Sequence, residues 1–161
     1  MVTVRAAVPA DHDAIYELFR GVVEAGDTFT FPADMPRDDA VRFWTAPPSH
    51  AFVAELDGRI VGSSYVKPNQ PGRGAHVCNA GYMVAGAARG QGVGRALGEH
   101  SLVEARRLGY RAMQYNFVVA TNTGAVELWK KLGFEVVGRV PGAFRHAREG
   151  LVDALVMYRP L

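Results

Sequence analysis

A single cysteine, Cys78, rules out an internal disulfide in this chain of 161 residues. It lies in an apolar strand-like run, so it reads as a small buried hydrophobe rather than a nucleophile. Excess charge is also lacking: the formal net charge of +2 is too small, and too evenly spread, for a nucleic-acid surface. No apolar run is long enough to span a membrane, and the start, Met1-Val-Thr-Val-Arg5 followed by Asp11-His-Asp13, reads without a signal-peptide core. The cytoplasm is therefore the expected address. Among the five histidines no pair has metal-ligand spacing, so no metal is expected. There is no internal repeat and no low-complexity segment. What is present is 48% hydrophobic content, enough to bury one sizeable core, and a single domain over residues 1–161 is expected.

Periodicity and turn signals order the elements. Val2 to Val8 reads as a strand, and Ala10 to Glu24 as a helix with Ile15, Leu18, Phe19 and Val22 on one face. Gly26 to Pro36 is irregular, and Arg37 to Trp44 is a short helix. Strands at Ala51–Leu56 and Arg59–Lys67 join at Asp57-Gly58, a strong hairpin signal. The segment Pro68-Asn-Gln-Pro71-Gly-Arg73-Gly is too rich in breakers to be anything but a loop. A fourth strand over Val77–Val84, a third helix ending near Leu108, a fifth strand over Tyr115–Ala120 and a fourth helix from Asn122 follow. Glu135–Val140 and Leu151–Tyr158 close the chain as strands.

The densest information lies at Val84-Ala-Gly-Ala-Ala-Arg89-Gly90-Gln-Gly92-Val93-Gly94-Arg95, between strand four and helix three. Alternating glycines let the backbone turn, and the helix start adds unpaired N–H groups and a positive dipole end. The product is an anion site, and phosphate or pyrophosphate is the first partner to consider. A P-loop is excluded, because Gly94-Arg95-Ala96 lacks the required Lys and hydroxyl. A dinucleotide fingerprint fits poorly: Gly90, Gly92 and Gly94 have the wrong spacing, and Tyr110 to Asn116 holds no acid to bind a ribose. The remaining pattern, Arg/Gln-x-x-Gly-x-Gly/Ala, is matched at every position by Arg89-Gly-Gln-Gly92-Val-Gly94. On these residues the loop resembles the coenzyme A pyrophosphate loop of the GNAT superfamily of N-acetyltransferases; alone, it is also compatible with an ordinary tight turn.

A second motif follows one strand later. Asn122-Thr-Gly-Ala125-Val-Glu-Leu-Trp129-Lys-Lys-Leu-Gly133-Phe134 resembles the GNAT pattern Asn-x-x-Ala-x-x-x-Tyr/Trp-x-x-x-Gly-Phe. Physically it is a helix capped by Asn122 and ended at Gly133, with Ala125, Leu128 and Leu132 as its apolar stripe. The element order, β-α-α-β-β-β-α-β-α-β-β, is also the one this resemblance implies. The implied fold is α/β, a mixed and mostly antiparallel sheet flanked by helices, with strands four and five splayed apart.

The resemblance implies acetyl-CoA as acetyl donor. Its pantetheine arm fills the splay and pairs with backbone near Met83 and Val84. The amides of Arg89, Gly90, Gly92, Val93 and Gly94 hold the pyrophosphate, and Asn122 and Trp129 stand beside the cofactor. An amine attacks the thioester, and an amide near Val84 stabilises the developing oxyanion. Many members protonate the leaving thiolate from a Tyr on helix four. Here Trp129 stands there, and an indole N–H cannot give up its proton. Trp129 reads either as a wall beside the thioester or as core packing.

Strand four carries no acid to act as base; its polar residue is Asn79, and strand five offers Asn116. Both asparagines are candidate catalytic residues, forming a neutral cradle for substrate or an ordered water. The alternative is that they pair with loop backbone groups. Lys67-Pro-Asn-Gln-Pro-Gly-Arg73 with Cys78-Asn79-Ala80-Gly81 resembles the azetidine-2-carboxylate (proline-analogue) acetyltransferases of yeast, which place two asparagines around the substrate. The acceptor is accordingly expected to be a small-molecule amine or imino acid. Phe29 and Phe31 are candidates to wall a small apolar ring, or else cover a core. Lys67, Arg73 and Arg145 are candidates for an acceptor carboxylate, or else solvated surface charge. His76 borders strand four without an acidic partner, and His146 is read as part of a basic loop. Two other functions stay open: a non-catalytic acyl-CoA sensor, and a GNAT that acetylates protein or aminoacyl-tRNA amines. A homodimer is left open as well.

Overall fold

The computed structural model describes residues 1–161. Its elements are β1 (Thr3–Ala6), α1 (His12–Ala25), α2 (Arg37–Thr45), β2 (His50–Leu56), β3 (Arg59–Pro68), β4 (Val77–Val84), α3 (Val93–Arg107), β5 (Ala112–Val119), α4 (Thr123–Lys131), β6 (Glu135–His146) and β7 (Gly150–Pro160). Seven strands form one sheet in the order β1-β2-β3-β4-β5-β7-β6. Every neighbouring pair is antiparallel except β4 and β5.

Two cores form because the sheet is apolar on both faces. On one face Ile15, Leu18, Phe19 and Val23 of α1 and Ala40 and Trp44 of α2 pack against Val53, Tyr65 and Met83. On the other, Leu102 and Ala105 of α3 and Val126 and Trp129 of α4 pack against Cys78, Ala80, Met113, Tyr115 and Met157. The element order is as expected, and the boundaries move by a few residues. The largest shift is in β6, which was expected to end at Val140 and runs to His146. Pro141 and Gly142 look like breakers, but β6 is the edge strand, where a missing N–H costs nothing, and its register on β7 shifts between Val140 and Phe144 to absorb them.

The site is positioned by how β4 meets β5. Parallel pairing is confined to Val77↔Ala112 and Cys78↔Met113. Where it stops, the Asn79 side chain donates from Nδ2 to the carbonyl oxygen of Gln114 at 3.0 Å. Beyond that link the strands diverge. The divergence is reinforced in β5, whose register on β7 shifts between Tyr115 and Val118, leaving Asn116 and Phe117 outside the ladder. The expected splay is present.

Candidate active site

The register of β4 decides which of its backbone groups are free. Ala85 N–H donates to Val61 at 2.8 Å and Asn69 N–H to Val77 at 2.9 Å, so odd-numbered residues of β4 turn their backbone groups toward β3. Even-numbered residues therefore turn theirs toward β5. Past Cys78 there is no strand to meet them, which leaves the N–H and C=O groups of Ala80, Tyr82 and Val84 facing the splay. Val84 is thus one of the residues whose backbone is free at this edge. The expectation for Met83 is corrected: Met83 pairs with Ser63 of β3, is 1% exposed, and packs its side chain under α1. Tyr82 takes its place at the free edge, which residue spacing could show only once the register was known.

At the end of β4 the chain enters the glycine loop. Gly90 and Gly92 sit at φ +78° and +82°, a conformation that L side chains rarely adopt, and an added Cβ on either would meet nothing within 4 Å. Gly92 caps the start of α3. The N–H groups of Gly90, Gly92, Val93, Gly94 and Arg95 have no acceptor within the chain. Five free amides at a helix N-terminus are an arrangement suited to an anion. Across from it, Asn122 caps α4 by accepting from Ala125 N–H at 3.4 Å.

One cavity of about 1660 Å³ joins this loop to the opposite face of the sheet. One wall, on the side of the glycine loop, contains Val84, Arg89, Gly90, Gly92, Val93, Gly94, Asn122 and Trp129. The other wall contains Phe29, Phe31, Phe43, Trp44, Tyr65, Lys67, Asn79 and Asn116. The candidate asparagines, phenylalanines, loop residues, Asn122, Trp129 and Lys67 are thus brought to the same space, while Met83, Arg73 and Arg145 are not. Phe29 and Phe31 lie 5.7 Å apart edge-on, and Phe31 is 4.8 Å from Phe43, so the three rings wall one side. The rings serve core and cavity together, since Phe19 packs behind Phe31 at 5.0 Å.

Asn79 and Asn116 face this side and do not contact each other. Asn79 Oδ1 accepts from the Tyr65 hydroxyl at 3.2 Å while its Nδ2 holds Gln114. Asn116 Nδ2 donates to Asn69 Oδ1 at 2.6 Å, and its Oδ1 accepts from Gln114 Nε2 at 3.0 Å. Each asparagine is oriented by the chain, and each keeps donor or acceptor capacity directed at the cavity. Burial pushes the Tyr65 phenol up to about 12, so it stays a donor.

Trp129 lies on the other side of the splay, 4.6 Å from Tyr82 and 5.0 Å from Tyr115. Behind it runs a hydroxyl chain. Ser101 Oγ donates to the Gly98 carbonyl at 2.8 Å and lies 2.6 Å from Tyr82 Oη, which is 2.8 Å from Tyr115 Oη. The three hydroxyls form one hydrogen-bonded chain. Desolvation raises both phenols above their ordinary range, and both remain neutral. These tyrosines were not singled out from the sequence; no local pattern marks them.

His146, expected in a loop, ends β6 and is buried, with Nδ1 accepting from the N–H groups of Arg148 and Glu149 at 3.1 and 3.2 Å. It lines the cavity beside Asp27, whose Oδ1 is buried without a partner and whose Oδ2 is 3.6 Å from Arg148. His76 gives its carbonyl to Arg111 N–H and lies outside the cavity. Cys78 is fully buried and its thiol is pushed up to about 12 by desolvation, as befits packing rather than nucleophilic use. No group of three His, Cys, Asp or Glu side chains is placed to hold a metal.

The sequence model of the Acetyltransferase (GNAT) family matches residues 13–134. The chain belongs to the GNAT family of acetyltransferases. This GNAT acetyltransferase is 33% identical over 151 residues to the N-acetyltransferase aca1 of Schizosaccharomyces pombe, an alignment covering 83% of this chain and 72% of that one. A GCN5-related N-acetyltransferase from Kribbella flavida superposes with a TM-score of 0.95 and 48% identity, covering 99% of this chain and 98% of that one. A phosphinothricin acetyltransferase from Sinorhizobium meliloti, solved in complex with AcCoA, superposes with a TM-score of 0.89 and 25% identity over 99% of this chain and 88% of that one. The glycine loop, the splay and the capped fourth helix of this chain are therefore those of an N-acetyltransferase. No helix is long and apolar enough to cross a membrane.

Proposed function

We propose that this chain acetylates the nitrogen of a small amine or imino acid with acetyl-CoA as donor, and that proline-like rings such as azetidine-2-carboxylate are its acceptor class. One observation carries the reading: five unpaired amides at Gly90–Arg95 and an unpaired edge at Ala80, Tyr82 and Val84 open on a single cavity. The residues fit the donor by their chemistry. Free amides at a helix N-terminus suit a pyrophosphate, and a bare strand edge suits an extended chain of amides. Bound acetyl-CoA supplies an activated carbonyl as its thioester.

The chain's own residues supply position and polarity. The Val84 N–H faces the splay and is the donor available to the oxygen on which charge develops. Trp129 walls the same place without titrating. Because the Tyr82 and Tyr115 hydroxyls are engaged in a chain with Ser101, the thiolate leaves unassisted, which its pKa of about 8.5 permits. Asn79, held by Tyr65 and Gln114, orients the acceptor; an amide cannot accept a proton at neutral pH, so the nitrogen loses its proton to water. Phe29, Phe31 and Phe43 form an apolar wall suited to a small saturated ring.

Thiol release with a panel of acceptors tests the proposal: azetidine-2-carboxylate, L-proline, phosphinothricin, a primary diamine and an amino-terminal peptide. The expected result is turnover with at least one free amine or imino acid and little with the peptide. Thiol release with none of them, in protein that binds coenzyme A, would favour an acyl-CoA sensor instead.

A further inference from the structure

We propose that Lys67 is the specificity residue of the acceptor site and holds a carboxylate on the acceptor, an inference that rests on the acetyl-transfer reading above. Three cations could have served, Lys67, Arg73 and Arg145. Arg73 and Arg145 are exposed and lie outside the cavity, whereas Lys67 is half-buried in its wall. The lysine is the direct cross-strand partner of Asn79 in the β3–β4 ladder. Paired residues on adjacent strands project to the same face, with Cβ atoms roughly 5 Å apart. Lys67 and Asn79 are therefore side by side on the acceptor face.

What surrounds the ammonium identifies its ligand. Lys67 Nζ stands 4.2 Å from the centroid of the Phe43 ring and 4.9 Å from that of Tyr65. It makes no ion pair with any carboxylate of the chain. Two ring faces hold the charge in place and solvate it only in part, and burial lowers its pKa from the ordinary value. The other cations on the wall are engaged or distant. Arg148 faces Asp27 at 3.6 Å, Arg95 is paired with Glu99 at 2.8 Å, and Arg89 and Lys131 belong to the glycine loop and α4. Lys67 is thus the unpaired cation on the acceptor side. A partly desolvated ammonium beside an amide-bearing Asn79 is a site for an anionic oxygen that both groups can donate to. An amine or imino acid whose nitrogen sits next to a carboxylate satisfies both the cation and the reaction. A simple amine leaves the cation without its partner, and the site discriminates against it.

The experiment compares kcat/KM for azetidine-2-carboxylate and for its uncharged carboxamide, in wild type, Lys67→Met and Lys67→Arg, with coenzyme A affinity measured alongside. The wild type is expected to prefer the acid by roughly tenfold to a hundredfold, the range for one charge-assisted hydrogen bond. Lys67→Met should reduce that ratio to near one, mainly through KM, and Lys67→Arg should restore most of it. A wild type that takes acid and amide equally would overturn the assignment, as would a folded Lys67→Met protein with the wild-type ratio. Coenzyme A binding without turnover of any acceptor would instead strike at the acetyl-transfer reading itself, a result separable from the loss of selectivity.

Discussion

The Tyr65 ring lies flat across Gly81: a Cβ on that glycine would stand 2.4 Å from Tyr65 Cε1 and 2.7 Å from Cζ. The two residues are partners in the β3–β4 ladder, and the missing side chain is what lets the phenol cross β4 to reach Asn79. Trp44, 4.7 Å away and edge-on, fixes the ring from behind, and its own Nε1 donates to Ser63 Oγ at 2.8 Å. The acceptor side is therefore organised by a close approach of ring to backbone. Gly81→Ala should displace Tyr65, weaken acceptor binding, and leave coenzyme A affinity within about twofold. Crystals of Gly81→Ala with Tyr65 unmoved would contradict this account.

Asn79 and Asn116 should separate in their effects. Asn79→Ala removes the link across the splay and the acceptor for Tyr65, so it should lower both acceptor turnover and stability, the latter by about 1–3 kcal/mol for the polar groups left unpaired. Asn116 is exposed and tied only to other side chains, Asn69 and Gln114. Its alanine variant should raise the acceptor KM with a melting temperature near wild type. Equal thermal shifts in the two variants would show that this division of labour is wrong.

On the proposed reading Trp129 is a wall, so Trp129→Phe should cost turnover far less than the roughly 10²–10⁴-fold that a proton-transferring residue contributes. Stopped assays of thiol release give the comparison directly. A loss inside that range would mean that the indole N–H takes part in the reaction.

Much of this site was legible from local sequence. The Asn122 cap, the left-handed Gly133 and the hairpin at Asp57-Gly58 each depend on residues a few positions apart, and each is found where expected. What was not legible depends on register between distant segments. Met83 and Tyr82 are adjacent, and only the β3–β4 pairing decides which of them meets the splay. The hydroxyl chain joins Tyr82, Ser101 and Tyr115 from three elements, and nothing in their spacing marks them. His146, read as part of a basic loop, lies in a strand because the edge position of β6 tolerates Pro141 and Gly142. The lysine over Phe43 looked like surface charge until the rings beneath it were placed.

The amino-terminal entry to α1 sets a pH signature of stability. Buried Asp11 accepts from Arg5 Nη1 and Nη2 at 2.8 and 3.0 Å and from Val8 N–H at 2.8 Å. The Arg5 hydrogen bonds, then that of Val8, hold its carboxyl below the usual range against the cost of burial. A depressed folded pKa gives stability that is present above the unfolded value, near about 3.9, and is lost as pH falls through the folded one. The melting-temperature gap between wild type and Asp11→Asn should be full at pH 6 and shrink below pH about 4. A gap that stays constant to pH 2.5 would show that the charge on Asp11 contributes nothing.

The central claim is that Gly90–Arg95 receives the pyrophosphate of acetyl-CoA, and calorimetric titration of coenzyme A into wild type and Gly92→Val tests it most directly. A side chain at φ +82° is strained, so the substitution disturbs the backbone that carries the free amides. Wild type should bind, and the folded variant, checked by circular dichroism, should lose at least about tenfold in affinity, a difference of about 1.4 kcal/mol. A folded Gly92→Val protein with wild-type affinity would contradict the account.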